Sequence, residues 1–177
     1  MTLSHGGSSA LAAGIESGAP VDVFASANAE TMATITEAGL ASGPRVFART
    51  VLQIAVPAGN PGNVTGLADF ADRDRTLALC APEVPCGSAS ARVFGIADIT
   101  PAPDTLEQDV RAALTKVELG AVDAAIVYRT DVLVAGDAVQ GIDFAEASEA
   151  PAEYAVVALS GAPQLRRGER LHRVRAG

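Results

Sequence analysis

The sequence predicts an α/β fold, and two observations carry that reading. Between Leu106 and Asp131 an amphipathic helical pattern feeds straight into a short apolar run, which is half of a βαβ unit. Val110, Ala113, Leu114 and Val117 recur at i, i+3, i+4 and i+7, one helical face, and Gly120 follows as a left-handed stop. Ala124-Ala125-Ile126-Val127-Tyr128 then reads as a strand buried on both faces. Tyr128 closes that strand, which places its hydroxyl at the carboxyl end, where open α/β sheets bind ligands. The second observation is the alternation of short apolar runs with helical patterns and Gly/Pro-rich turns along the rest of the chain.

Taken in order, Gly6-Gly7-Ser8-Ser9 opens an Ala-rich helix from Ala10 to Ser17, stopped by Gly18-Ala19-Pro20. On the residues alone these serines are an ordinary helix start. Val21 to Ala25 reads as a strand, and Asn28 to Ala38 as a second helix ended by Gly39. Val51 to Val56 alternates as a strand and halts at Pro57-Ala58-Gly59-Asn60-Pro61-Gly62-Asn63, the best candidate boundary between lobes. Leu67 to Ala71 is a short helix, Thr76 to Ala81 a buried strand, and Ser88 to Gly95 a helix. Pro101 to Asp104 is a loop. Beyond Tyr128 the pattern predicts a short helix from Asp131 to Ala135, a strand near Ile142 to Ala145 and a last strand from Tyr154 to Leu159.

Composition sets limits. With 49% apolar and 19% charged residues the chain can bury a core, yet aromatics are 4% and tryptophan is absent, so Ala, Val, Leu and Ile must build it. Net charge is −8; five arginines and one glutamate fall from Pro163 onward, leaving 8 basic and 20 acidic residues, −12, in residues 1–162. That balance excludes the basic face of a nucleic-acid binder. It leaves room for an anion ligand, because converging backbone amides bind anions whatever the global charge. No apolar run reaches membrane-span length. Met1 to His5 has neither a basic n-region nor an apolar h-region, so the sequence as it stands reads as cytoplasmic.

Four segments, in order and at matching spacing, carry a family resemblance: GGSSALAAGIESGAPVDVFASAN at 6–28, LQIAVPAGNP at 52–61, APEVPCGSASARVF at 81–94, and DVRAAL followed by AAIVY at 109–128. From about residue 4 to about residue 162 the chain resembles the molybdate-binding proteins, the solute receptors of molybdate ABC importers. The resemblance implies a two-lobed α/β fold of the periplasmic-binding type (type II) with an incomplete first lobe. The expected division is residues 1–54 for part of the first lobe, 55–153 for the second, 154–162 for a return strand and 163–177 for a basic tail. That family begins with a strand, a serine-bearing turn and a long helix whose counterparts are absent here. Their loss implies unpaired edges and bare apolar faces in the first lobe.

The resemblance also implies a function and a site: capture of molybdate, or tungstate, between the lobes by hydroxyls and amides, with hinge closure and delivery to a membrane permease. The expected protein is a monomer, extracytoplasmic like its family, with no cofactor and no enzymatic activity. Ser8 falls on a serine ligand, Cys86 (in VPCG, where relatives show VPAG) and Val110 on backbone amide donors, and Tyr128 on a phenol donor. The Val110 N–H can serve only if it lies among the first four of its helix, which requires a cap at about Glu107 or later. Thr105 with Gln108 makes a competing capping box that would start the helix earlier; the later start is expected.

Other residues fall to plainer readings. Cys80 and Cys86 admit a disulfide, a metal site or two buried hydrophobe-like thiols; no histidine stands nearby, and the buried thiols are preferred. His5 and His172 read as solvent-exposed, and Asp22, Asp123 and Asp131 as turn or cap residues. No phosphate loop, nucleophile elbow or zinc motif occurs. Two rival readings stand: a truncated, non-functional remnant of such a receptor, and a receptor for another oxyanion such as sulfate. The Arg-rich end, QLRRGERLHRVRAG, reads either as a basic surface tail or as out-of-frame sequence, the latter preferred.

Overall fold

Five strands, two of them buried along their whole length, organise the larger part of the chain. The computed structural model describes residues 2–162, so the Arg-rich end and His172 lie outside the described residues. The described residues divide into two units: one comprises residues 2–7 and 49–152, the other residues 8–48 and 153–162.

In the first unit the sheet contains β3 (Leu52–Pro57), β4 (Leu77–Cys80), β5 (Thr105–Glu107), β6 (Ala124–Tyr128) and β7 (Val139–Ile142), in the order β5-β4-β6-β3-β7. β4 runs parallel to β5 and β6, whereas β3 is antiparallel to both β6 and β7. Every residue of β4 and β6 is buried, the burial expected of strands covered on both faces. The covering helices are α3 (Pro85–Ile96), α4 (Val110–Glu118) and α5 (Arg129–Ala135), with a 3₁₀ turn at Leu67–Ala71. Ile54, Phe70, Leu77, Leu114 and Ile126 have no exposure, and each such side chain contributes roughly 1.5–3 kcal/mol by leaving water. Phe70 and Phe94 pack with ring centroids 5.6 Å apart, supplying aromatic bulk that the composition makes scarce.

The other unit holds a three-stranded sheet, ordered β1-β8-β2, with β1 (Val23–Ser26), β2 (Arg45–Thr50) and β8 (Ala152–Ala158). β1 pairs antiparallel with β8. α1 (Ser8–Glu16) and α2 (Ala29–Glu37) bury Ile15, Met32 and Ile35 with Phe24 and Val157. Asn28 caps α2 through its side chain, accepting from the Thr31 N–H at 3.0 Å. Val23, Val46 and Phe47 are exposed on β1 and β2.

Most predicted elements occur within a few residues of their expected bounds; three differ. β2 had no counterpart in the sequence reading, because its residues are exposed and its pairing with β8 defines it. β5 had no counterpart in the sequence reading either: parallel pairing with β4 captures residues 105–107, between the expected loop at 101–104 and the helix. β7 lies three residues earlier than expected: Gly141 sits opposite Ala55, and its missing side chain leaves room for Gln53. The Gln53 amide in turn donates to Asp143 at 2.8 Å.

Candidate functional site

At the carboxyl end of β4 the chain turns through Ala81-Pro82-Glu83-Val84 into α3. The Ala81 N–H donates to the Glu107 carbonyl at 2.8 Å, tying the strand end to β5, and the Val84 N–H closes the turn onto the Ala81 carbonyl at 3.1 Å. Pro85 is the first residue of α3 and has no N–H to offer. The first ladder bond runs from the Ser88 N–H to the Val84 carbonyl at 3.0 Å. The Cys86 and Gly87 N–H groups therefore lie outside the ladder, at the positive end of the helix dipole. Ser90 Oγ donates to the Cys86 carbonyl at 2.7 Å, holding that peptide from behind.

Here the preferred reading of the cysteines needs correction. Cys80 and Cys86 form a disulfide, with Cα atoms 5.7 Å apart, and no cysteine is free. The tight turn brings the last residue of β4 back against the second residue of α3, within the span a disulfide bridges. Cys86 thus presents no thiol; both sulfurs belong to buried residues.

α4 begins at Val110, and Asp109 is its cap, accepting from the Ala112 N–H at 2.8 Å. The later helix start is the one observed, and the competing box is lost because Thr105 belongs to β5. As the first helical residue, Val110 has its N–H outside the ladder. Gly7 lies against this end: a Cβ there would stand 3.2 Å from Asp109 Cβ and 3.4 Å from the Gln108 carbonyl oxygen. Neither α3 nor α4 carries an acid in its first turn, although the Asp109 carboxylate at the α4 cap offsets part of that helix's dipole. Glu107 pairs with Lys116 at 2.6 Å, and the Lys116 hydrogen bond holds its carboxyl below the usual glutamate value.

Tyr128 ends β6, is 2% exposed and has a buried hydroxyl oxygen. Its N–H donates to Asp131 Oδ2 at 3.1 Å. Burial pushes the Asp131 carboxyl up, partly offset by that bond and by the charge of Arg111. The register of β4 with β5 sets Cys80 beside Glu107, and the register of β4 with β6 (Leu77 opposite Ala124) carries Tyr128 level with Ala81. Cys86, Val110 and Tyr128 therefore follow the carboxyl ends of three adjacent strands, a span of about 10 Å at the usual strand spacing. Ser8 belongs to the other unit, at the first residue of α1. It is buried, and its Oγ accepts from the Ala27 N–H at 3.0 Å, leaving its proton to donate elsewhere.

The sequence reading missed Asp109 as a cap, although an aspartate just before an apolar-periodic run is a helix-start signal. It also missed Gly87, whose importance lies in a contact with Ala81 that no local pattern announces. Among the described residues, no group of three or more His, Cys, Asp or Glu could hold a metal ion, and no helix is long and apolar enough to cross a membrane.

The family model for bacterial extracellular solute-binding proteins matches residues 1–172. The chain belongs to this family. This solute-binding protein is 37% identical over 159 residues to the molybdate-binding protein ModA of Mycobacterium bovis, a match covering 89% of this chain and 61% of ModA. The chain thus spans about three fifths of that relative's length. Among solved structures, the periplasmic molybdate-binding protein of Azotobacter vinelandii superimposes with a TM-score of 0.70 at 22% identity, covering 98% of this chain and 80% of that one. The sulfate-binding protein SubI of Mycobacterium tuberculosis superimposes with a TM-score of 0.75 at 17% identity, covering 92% and 66%. These two likenesses show a shared fold of the periplasmic-binding type, partial in this solute-binding protein.

Proposed function

We propose that the chain is the substrate-binding component of a molybdate importer and captures the molybdate or tungstate oxyanion. The observation that carries this reading is the position of Cys86, Val110 and Tyr128 at three adjacent strand ends, two of them at helix N-termini. Such amides suit a tetrahedral dianion: each donates a charge-assisted hydrogen bond, and none adds a cation that would also attract unrelated anions. In this reading the Cys86 and Val110 N–H groups and the Tyr128 hydroxyl are donors, and the Ser8 hydroxyl adds a fourth. The oxyanion is cargo, not a cofactor. An ABC permease is the partner that receives it, and the receptor acts as a monomer.

The identity with ModA favours molybdate, while the likeness to SubI keeps sulfate as the second reading, since the two anions share shape and charge. The Cys80–Cys86 disulfide supports a location outside the cytoplasm, where such bonds persist. Calorimetric titration of the purified chain with molybdate, sulfate and phosphate tests the reading. One-to-one, saturable binding of molybdate in preference to sulfate is the expected result. Preferential sulfate binding would select the second reading, and no heat with any of the three would overturn both.

A further inference from the structure

We propose that the Cys80–Cys86 disulfide is a positioning device for the anion-binding turn, fixing the Cys86 and Gly87 amides before ligand arrives; the inference rests on the function proposed above. The bond joins the last residue of β4 to the second residue of α3, and so closes the turn that aims those amides. Close backbone contacts also shape the turn. Ala81 is anchored to β5 through Glu107, the Val84 N–H returns to Ala81, and Gly87 lies so near the Ala81 carbonyl that an added Cβ would fall 1.8 Å from its oxygen.

That packing demands a particular separation of strand end and helix start. Two turn hydrogen bonds, Ala81 to Glu107 and Val84 to Ala81, also hold it, and the helix start has no side-chain cap. Val84 at the cap position has no side-chain oxygen to accept from the helix amides, and Pro85 removes one amide. The covalent link supplies what the missing cap does not. It is buried, with Cys80 3% and Cys86 2% exposed, so it acts as a fixed part of the fold at the site, not as a surface staple. Fixing the turn removes backbone ordering from the binding step, the general route by which preorganisation raises affinity.

The test compares the oxidised chain with the Cys80→Ala/Cys86→Ala double variant and with the native chain reduced by a phosphine. In that reduction one phosphine and one water are consumed: the water's oxygen goes to the phosphine, which becomes its oxide, and the two electrons and the water's two protons convert the disulfide into two thiols. Two readouts are used: molybdate affinity, and hydrogen exchange of the Val84 and Ser88 amides, with the Ala97 amide at the far end of α3 as control. The expected result is roughly tenfold weaker molybdate binding, the order of ordering one or two backbone residues, with exchange faster at Val84 and Ser88 but not at Ala97. Reoxidation of the reduced chain restores both. Unchanged affinity together with unchanged exchange would overturn the inference, as would faster exchange along the whole helix, which would mark a general stabilising role. Should the oxidised chain bind no molybdate, the functional reading fails, and the exchange pattern still decides whether the disulfide governs the turn.

Discussion

The Gly87→Ala substitution follows most directly from the geometry of the β4–α3 turn. The new Cβ would lie 1.8 Å from the Ala81 carbonyl oxygen, 2.5 Å from its carbon and 2.9 Å from the Cys80 oxygen. Reaching even 3.0 Å requires the turn to open by 1.2 Å, and all three obstacles are backbone atoms with no rotamer to escape into. Retreat of the helix is blocked by the neighbouring disulfide, and retreat of Ala81 strains its bonds to Glu107 and Val84. Overpacking of this kind costs about 1–3 kcal/mol, and loss of one buried hydrogen bond about 1 more, so the expected destabilisation is about 3 kcal/mol. Gly95→Ala, in the same helix, meets nothing within 4 Å and should stabilise by about 0.5–1 kcal/mol through helix propensity. Urea denaturation of the two variants, each against the native chain, gives the contrast directly. If Gly87→Ala lay within about 0.5 kcal/mol of Gly95→Ala, well inside the overpacking range, the close approach at Ala81 would be refuted. At temperatures where it stays folded, Gly87→Ala should also weaken molybdate binding, because the displaced peptide carries a proposed donor.

Three further predictions concern the strand ends around this turn. Tyr128→Phe should weaken molybdate by about 1–3 kcal/mol, the cost of losing a hydrogen bond to a charged group; unchanged affinity in the calorimeter would remove Tyr128 from the site. Asp109→Ala removes the α4 cap and should cost about 1 kcal/mol of stability by urea denaturation, with weaker anion binding if the Val110 amide depends on that helix start. Lys116→Met should destabilise by about 0.5 kcal/mol at neutral pH, as suits a partly exposed ion pair. Glu107 has its carboxyl lowered by Lys116, so the pair's contribution is present above the ordinary value of 4.5 and is lost as pH falls through the lower folded-state value. Native and Lys116→Met chains should therefore converge in stability on acidification, and a constant gap in melting temperature would contradict the pairing.

How much of this was legible in the residues depends on the range of the forces involved. The helix at Val110 and the strand at Ala124–Tyr128 could be read directly, because a 3.6-residue apolar period and an unbroken apolar run record burial residue by residue. The same local chemistry marked Gly120, which adopts a φ of +63°, and Gly39, which ends α2 with a φ of +73°. The four family-like segments added the proposed site positions Ser8, Cys86 and Val110, which no periodicity could have selected, and pointed again to Tyr128, already marked as the end of a buried strand. What remained hidden was set by partners distant in sequence. β2 is a strand by virtue of β8 and β5 by virtue of β4, and their own residues carry little apolar signal. The pairing of Cys80 with Cys86 and the need for glycine at 87 depend on how closely a strand end and a helix start pack. Spacing along the chain permits that approach without requiring it, and only the tertiary fold, by driving β4 and α3 into one buried core, brings those backbones into contact.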